Sequence, residues 1–206
     1  MAANQRSKTT AATIGDIASR APRARIMAAA RELFYRNGLN AVGVEAIAEL
    51  ALTNKMTLYR HFKSKDELIV AYVSQLAGEG DAVWERIDRE FPDTPQKRLD
   101  AWLNHVDDVL TNRFERGCAL ANAAVELQSG HPARTVIEAY KGRKRDRLVA
   151  LFAAARYRDP ERLADELFLL FEGARISMQC GGRGPASRVT SMLRDLLANA
   201  PKRRRA

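Results

Sequence analysis

The sequence predicts an all-α fold, and three observations lead to that expectation. Apolar residues recur at helical spacing through most of the chain after residue 22. The stretches between these stripes carry residues that start or end helices, such as Asn37-Gly38 and Asp159-Pro160. No alternating strand pattern of useful length and no internal repeat is present.

The first four helices follow from their caps and apolar faces. They are expected at 22–37, 44–50, about 54–62, and from a cap at Ser64 to about residue 89. Ser64 and Glu67 have the spacing of a capping box, with Glu67 reaching back to the N-cap residue. Gly78 and Gly80 predict a weak point in the fourth helix.

Five more helices are expected in the rest of the chain, at about 95–114, after Gly117, at about 132–156, about 160–180 and 186–199. The sequence GGRGP at 181–185 predicts a break before the last helix. We therefore predict a flexible tail over 1–21, an N-terminal domain over 22–75, a larger helical domain over 76–200 and a basic tail over 201–206.

Positive charge is concentrated at the two ends of the chain. The net charge is +9, and residues 1–65 contain eleven Lys and Arg against four Asp and Glu. A basic head on a nearly neutral body is typical of a module that binds a polyanion. The chain lacks an apolar run of the roughly 20 residues that a membrane span needs, lacks a secretory signal, and has only two cysteines. We therefore expect a cytoplasmic protein without cofactor or metal.

The segment TNKMTLYRHFKSKDEL at 53–68 predicts a helix-turn-helix, because a short basic helix follows another short helix after a tight turn. Met56 or Leu58, together with Phe62, would pack inward. The side chains expected to face outward are Lys55, Thr57, Tyr59, Arg60 and His61. Lys65 opens the next helix, where its backbone amide and side chain can both hold a phosphate.

Three segments closely resemble the DNA-binding domain of the TetR family of transcriptional regulators: LFYRNG at 33–38, VEAIA at 44–48 and TLYRHFKSKDEL at 57–68. The resemblance implies that Tyr59 and Lys65 bind phosphates. It places the following side chains nearest to bases and backbone: Asn54, Lys55, Thr57, Arg60 and His61. Two positions depart from the family pattern. Leu52 replaces a turn glycine, and Gly43 replaces a capping threonine that contacts a phosphate.

The resemblance also implies a homodimer that binds a palindromic operator in double-stranded DNA and is released by a small-molecule effector. The expected dimer interface contains Leu163, Leu167, Leu170, Ala174, Met178, Val189, Met192, Leu193 and Leu196. The expected effector pocket contains Trp102, His105, Cys118, Asn122, Glu126, Phe171 and Arg175.

Other functions remain open from the sequence alone. Cys118 at a helix start, near Arg113 and Arg116, suggests a repressor that senses electrophiles or oxidants, whereas its small apolar neighbours suit a buried, inert thiol. A nucleic-acid-binding protein without sequence preference is a second alternative. We predict no enzymatic activity, because no HExxH, GxSxG or phosphate-binding glycine loop is present. The sequence identifies neither operator nor effector, and does not separate repressor from activator.

Overall fold

The computed structural model describes residues 20–112, 116–181 and 183–203. Helices account for nearly all of these ranges, and the described residues contain no β-strand. The helices are α1 Pro22–Asn37, α2 Val44–Leu50, α3 Lys55–His61, α4 Lys65–Glu90, α5 Pro95–Asn112, α6 Ala119–Glu126, α7 Pro132–Ala154, α8 Pro160–Gln179, α9 Arg183–Ala186 and α10 Val189–Asn199. The all-α prediction is confirmed.

Two local predictions differ from the structure. The helix α4 continues through Gly78 and Gly80 without a break, because a mid-helix glycine costs only about 1 kcal/mol and α4 also has a buried apolar face. The predicted break at 181–185 contains the short helix α9. The predicted tails at 1–19 and 204–206 lie outside the described residues, as do Arg113 and Phe114.

The chain forms two compact units. The first comprises residues 1–76 together with 122–136, and the second comprises 77–121 together with 137–206. In the first unit, α1, α2 and α3 each contact the other two, and the ring centroids of Phe34 in α1 and Tyr72 in α4 lie 5.4 Å apart. Sequence patterns did not indicate that 122–136 would join the first unit.

The second unit is built on a buried aromatic centre. Trp102 of α5 stacks on Trp84 of α4 at 6.2 Å and meets the edge of Phe171 of α8 at 6.4 Å. The helix α10 packs on both α5 and α8.

None of the described helices is long and apolar enough to cross a membrane.

The predicted dimer stripes are largely part of this core. Five of the nine residues are buried within the protomer: Leu163, Leu167, Ala174, Val189 and Leu193. Leu170, Met178 and Leu196 are partly buried against the same core, so among the nine only Met192 is exposed. An amphipathic helix first covers its own core with its apolar face, and a sequence stripe cannot separate that role from pairing between protomers.

Candidate nucleic-acid interface

The turn between α2 and α3 is a Schellman motif with a leucine in the position that usually holds glycine. The amide of Thr53 donates to the carbonyl of Ala48 at 2.9 Å, and the amide of Leu52 donates to that of Glu49 at 3.0 Å. Leu52 has a φ of 51°, and its side chain is 52% exposed. The turn therefore keeps the left-handed conformation despite the leucine.

Replacing this leucine by glycine should stabilise the first unit. A left-handed residue other than glycine costs about 1–2 kcal/mol, and the gain in unfolded-chain entropy on Leu52→Gly offsets about 0.5–1 kcal/mol of that. We expect the free energy of unfolding in urea to rise by about 0.5–1 kcal/mol. The control Leu52→Ala keeps the strain and should show no gain. Equal gains from both variants would assign the effect to the exposed side chain instead of the backbone.

The helix α3 is capped at its start and anchored by its apolar side. Asn54 is the N-cap, and its Oδ1 accepts a hydrogen bond from the amide of Thr57 at 2.9 Å. Leu58 and Phe62 are buried, whereas Met56 is 84% exposed. Of the two inward candidates at 56 and 58, the structure selects Leu58.

The outward side of α3 follows from the position of Leu58. At 3.6 residues per turn, Met56 and Arg60 lie opposite Leu58 and Tyr59 lies beside them. Arg60 is exposed and Tyr59 is 42% exposed. His61 differs from the prediction, because its Nε2 is buried and has no hydrogen-bond partner among the described residues. It lies three residues after Leu58 and therefore on the inward side of the helix.

Two further residues of the predicted DNA-binding surface lie at helix starts, Gly43 before α2 and Lys55 at the first position of α3. Gly43 is the N-cap of α2, with an extended backbone and no side-chain cap. Lys55 is exposed and forms an ion pair with Glu45. The hydrogen bond to Lys55 lowers the pKa of Glu45, and the same bond raises the pKa of Lys55. Part of the positive charge at the start of α3 is therefore balanced within the protein.

The start of α4 presents Lys65 at its first position. Ser64 Oγ accepts a hydrogen bond from the amide of Glu67 at 3.0 Å. Glu67 Oε2 accepts one from the amide of Lys63 at 2.9 Å, one residue before the predicted partner. Lys65 is half-buried and lies four residues after the end of α3. Lys65 and the outward side of α3 are therefore close in the sequence and belong to the same unit.

The predicted pocket residues are divided between the two units. Asn122 and Glu126 belong to the first unit, where Glu126 Oε2 accepts a hydrogen bond from the amide of Asn40 at 2.9 Å. In the second unit, Trp102 and Phe171 are core residues, and His105 is half-buried.

Cys118 is also a core residue, at 3% exposed, and its Sγ accepts a hydrogen bond from the amide of Ala121 at 3.4 Å. Such burial is the environment that the alternative of an inert thiol predicts.

A buried ionic cluster of the second unit was only partly indicated by the sequence. We define the α7–α8 ionic cluster as Lys141, Lys144, Glu172 and Arg175. Glu172 accepts hydrogen bonds from Lys141 Nζ at 2.6 Å and Lys144 Nζ at 3.2 Å, and Arg175 lies 3.7 Å from it. Lys144 is 6% exposed, and its Nζ is 4.2 Å from the centroid of the Phe171 ring.

The pKa values of Lys144 and Glu172 lie far from their ordinary values. Burial lowers the pKa of Lys144 to about 8, and the attraction of Glu172 opposes that shift only in part. Burial tends to raise the pKa of Glu172, but the attraction of Lys144, Lys141 and Arg175 outweighs burial and lowers it to about 2. The carboxylate of Glu172 is therefore the shared counterion of Lys141, Lys144 and Arg175.

A cleft of about 250 Å³ lies elsewhere in the second unit. Its lining residues are Tyr157, Asp159, Arg162, Leu163, Glu166, Leu196, Asn199, Ala200 and Pro201. This volume is below the range of about 300–1,000 Å³ that is typical of small-molecule sites. It contains none of the residues that the sequence predicted for an effector pocket.

The first unit defines a helix-turn-helix protein, because two short helices and their tight turn pack on α1 and leave one side of α3 exposed. Residues 26–72, from α1 into α4, match the family described as "Bacterial regulatory proteins, tetR family". This segment of the chain is therefore similar to the TetR family.

Two curated relatives align with the N-terminal segment. It is 43% identical to the HTH-type transcriptional regulator UidR of Escherichia coli (strain K12) over 53 residues. These 53 residues are 26% of this chain and 27% of UidR. The N-terminal segment is 32% identical over 62 residues to the HTH-type transcriptional regulator QacR of Staphylococcus aureus (strain Mu50), which is 30% of this chain and 33% of QacR. The chain thus spans about a quarter to a third of the length of these relatives.

A solved structure extends the comparison beyond the first unit. A TetR-family transcriptional regulator from Streptomyces coelicolor superposes with a TM-score of 0.79 at 26% sequence identity, over 86% of this chain and 95% of that one. The predicted combination of an N-terminal helix-turn-helix with a larger helical C-terminal part is therefore confirmed.

Proposed function

We propose that this protein is a sequence-specific DNA-binding transcriptional regulator that acts as a repressor. The observation that carries the proposal is the exposed side of α3, where Tyr59 and Arg60 face solvent. Lys65 follows shortly afterwards in the chain, at the start of α4. A helix with this exposure fits the major groove, and Tyr59 and Lys65 bind the flanking phosphates. The names of UidR and QacR as transcriptional regulators support the same function.

The regulator acts as a homodimer on a palindromic operator. One seven-residue helix contacts too few base pairs to be selective, whereas two copies reach half-sites about one helical turn apart. Large apolar side chains at the surface of the second unit support self-association: Leu169 and Ile176 in α8, and Met192 in α10. Leu169 and Ile176 are seven residues apart, so they lie on one side of α8.

A small-molecule effector releases the dimer from DNA by favouring a conformation that binds DNA less well, at a coupling of about 1–3 kcal/mol. The α7–α8 ionic cluster supports an effector site in the second unit, since ionisable groups with strongly shifted pKa values concentrate at functional sites. It includes Arg175 and lies on the Phe171 ring, and both residues belong to the predicted pocket.

DNA selection from a randomised duplex pool at physiological salt tests the proposed function. We expect a short palindromic motif, and we expect Tyr59→Ala and Lys65→Ala each to weaken binding to it about 5- to 50-fold, because each variant removes a phosphate contact in both half-sites. Binding is measured by fluorescence anisotropy on the selected duplex and on a scrambled one.

Lys97→Ala is the matched control, because Lys97 is an exposed lysine in α5 of the second unit. It should bind the motif as the wild type does. Binding without any motif would instead support a nucleic-acid-binding protein without sequence preference. A motif bound equally by wild type, Tyr59→Ala and Lys65→Ala would place recognition outside α3 and the start of α4.

A further inference from the structure

The exposed side of α3 carries a large apolar side chain where polar and cationic ones prevail. Met56 is 84% exposed in the described structure. Scattered apolar residues on a surface are common and need no explanation by themselves. What distinguishes Met56 is its place, because it belongs to the helix that the proposed function puts in the major groove.

The position of Met56 around α3 makes it one of the two side chains that project furthest from the protein. Leu58 points into the core, and a helix turns about 100° per residue, so Met56 and Arg60 both lie within about 20° of the opposite direction. They are four residues apart and therefore neighbours along the helix. Neither can turn inward without displacing Leu58 and Phe62, which are buried.

The chemistry of the major groove offers one natural partner to an apolar side chain in this position. Among the four bases, only thymine presents an apolar group there, its C5-methyl. A thioether set against a polar base edge would leave hydrogen-bonding groups without a partner, which is unfavourable. The unbranched methionine side chain can adjust its shape to a methyl group.

We infer that Met56 is a specificity-determining residue that contacts the C5-methyl of a thymine in each operator half-site, beside the group that Arg60 contacts. This inference rests on the proposed DNA-binding function. It adds that one position of each half-site is selected by an apolar contact, in addition to the hydrogen bonds that the polar side chains of α3 make.

Replacing thymine by deoxyuridine tests the inference, because that change removes the methyl group and leaves every hydrogen-bonding atom in place. Each thymine of the selected operator is replaced in both half-sites at once, and the Kd is measured by anisotropy. We expect one symmetric pair at which the wild type binds about 15-fold more weakly, since one buried methyl corresponds to about fourfold per half-site.

Variants at position 56 identify the side chain responsible. Met56→Ala should lose the preference for thymine over deoxyuridine at that pair and keep its response at every other thymine. Met56→Leu, which keeps an apolar side chain, should retain most of the preference. Val125→Ala removes another highly exposed apolar side chain and should behave as the wild type does. Unchanged thermal unfolding of all variants confirms that they fold.

The outcomes separate this inference from the function on which it rests. A motif whose binding depends on Tyr59 and Lys65, but with no thymine pair sensitive to the methyl group, would overturn the role of Met56 and leave the DNA-binding function standing. Retention of the thymine preference in Met56→Ala would overturn it as well. Absence of any selected motif would overturn both.

Discussion

Glu172→Gln should destabilise the second unit by about 3–5 kcal/mol at pH 7, because it removes the carboxylate from a buried cation. Lys144 would still have the free-energy cost of a buried charge, but it would lose the carboxylate that accepts its hydrogen bond at 3.2 Å. Lys141 and Arg175 would add only repulsion. Urea unfolding at a fixed protomer concentration measures the loss, since unfolding of an oligomer depends on concentration.

The pH dependence of this loss identifies Lys144 as its cause. The pKa of Lys144 is about 8 in the folded protein against 10.5 ordinarily. The unfolded chain therefore binds the extra proton between these values, and stability rises with pH in that window. Above it the lysine is neutral in both states and needs no counterion. The deficit of Glu172→Gln should therefore be largest near pH 7 and should shrink towards pH 10.

Stability also rises with pH on the acid side, where Glu172 titrates. The pKa of Glu172 is about 2 in the folded protein and 4.5 ordinarily, so its stabilisation is present above pH 4.5 and is lost as the pH falls towards 2. Glu166→Gln is the matched control, because its partner Arg162 lies four residues away on the same helix and has a side chain that is 73% exposed. It should change stability by less than about 0.5 kcal/mol. A loss for Glu172→Gln that is as small, or independent of pH, would contradict the role assigned to the cluster.

Trp102→Ala should lower the free energy of unfolding by about 3–5 kcal/mol, because it leaves a cavity in the aromatic centre of the second unit. Trp102 is 2% exposed and contacts both Trp84 and Phe171. The aromatic pairs add about 0.5–1.5 kcal/mol beyond the area they bury. Urea unfolding of the variant, under the same conditions as above, measures the loss.

Trp102→Phe provides the graded comparison. It keeps an aromatic ring in the core and should lose distinctly less stability than Trp102→Ala. A loss below about 1 kcal/mol for Trp102→Ala would mean that the indole lines an open pocket, as predicted from the sequence, and does not fill the core.

The first unit shows how far local patterns reach. The sequence alone predicts both ends of α2, the approximate start of α3 and the Ser64 cap of α4, because caps and apolar spacing act over three or four residues. Leu52 was identified differently, by the resemblance to the TetR family, in which a turn glycine stands at this position. Met56 and Leu58 were both candidates for the inward side of α3. Helix propensity does not show which of the two is buried.

Long-range contacts add information that the sequence patterns did not contain. Glu126 was predicted as a pocket residue, and no sequence pattern indicated that it accepts a hydrogen bond from the amide of Asn40, 86 residues earlier in the chain. Leu167 and Leu193 have the spacing of a pairing surface, yet both are core residues. Apolar spacing shows which side of a helix is buried and does not show against what.

For this protein the sequence by itself determined the all-α class, nearly all the helices and the helix-turn-helix with its outward Tyr59 and Arg60. These features depend on interactions within one or two helical turns, which a linear pattern records. Only the tertiary structure decided that Met56 is exposed, that residues 122–136 join the first unit, and that Lys144 shares Glu172 with Lys141 and Arg175. Burial and charge pairing depend on which distant segments meet, and the spacing of residues along the chain does not contain that information.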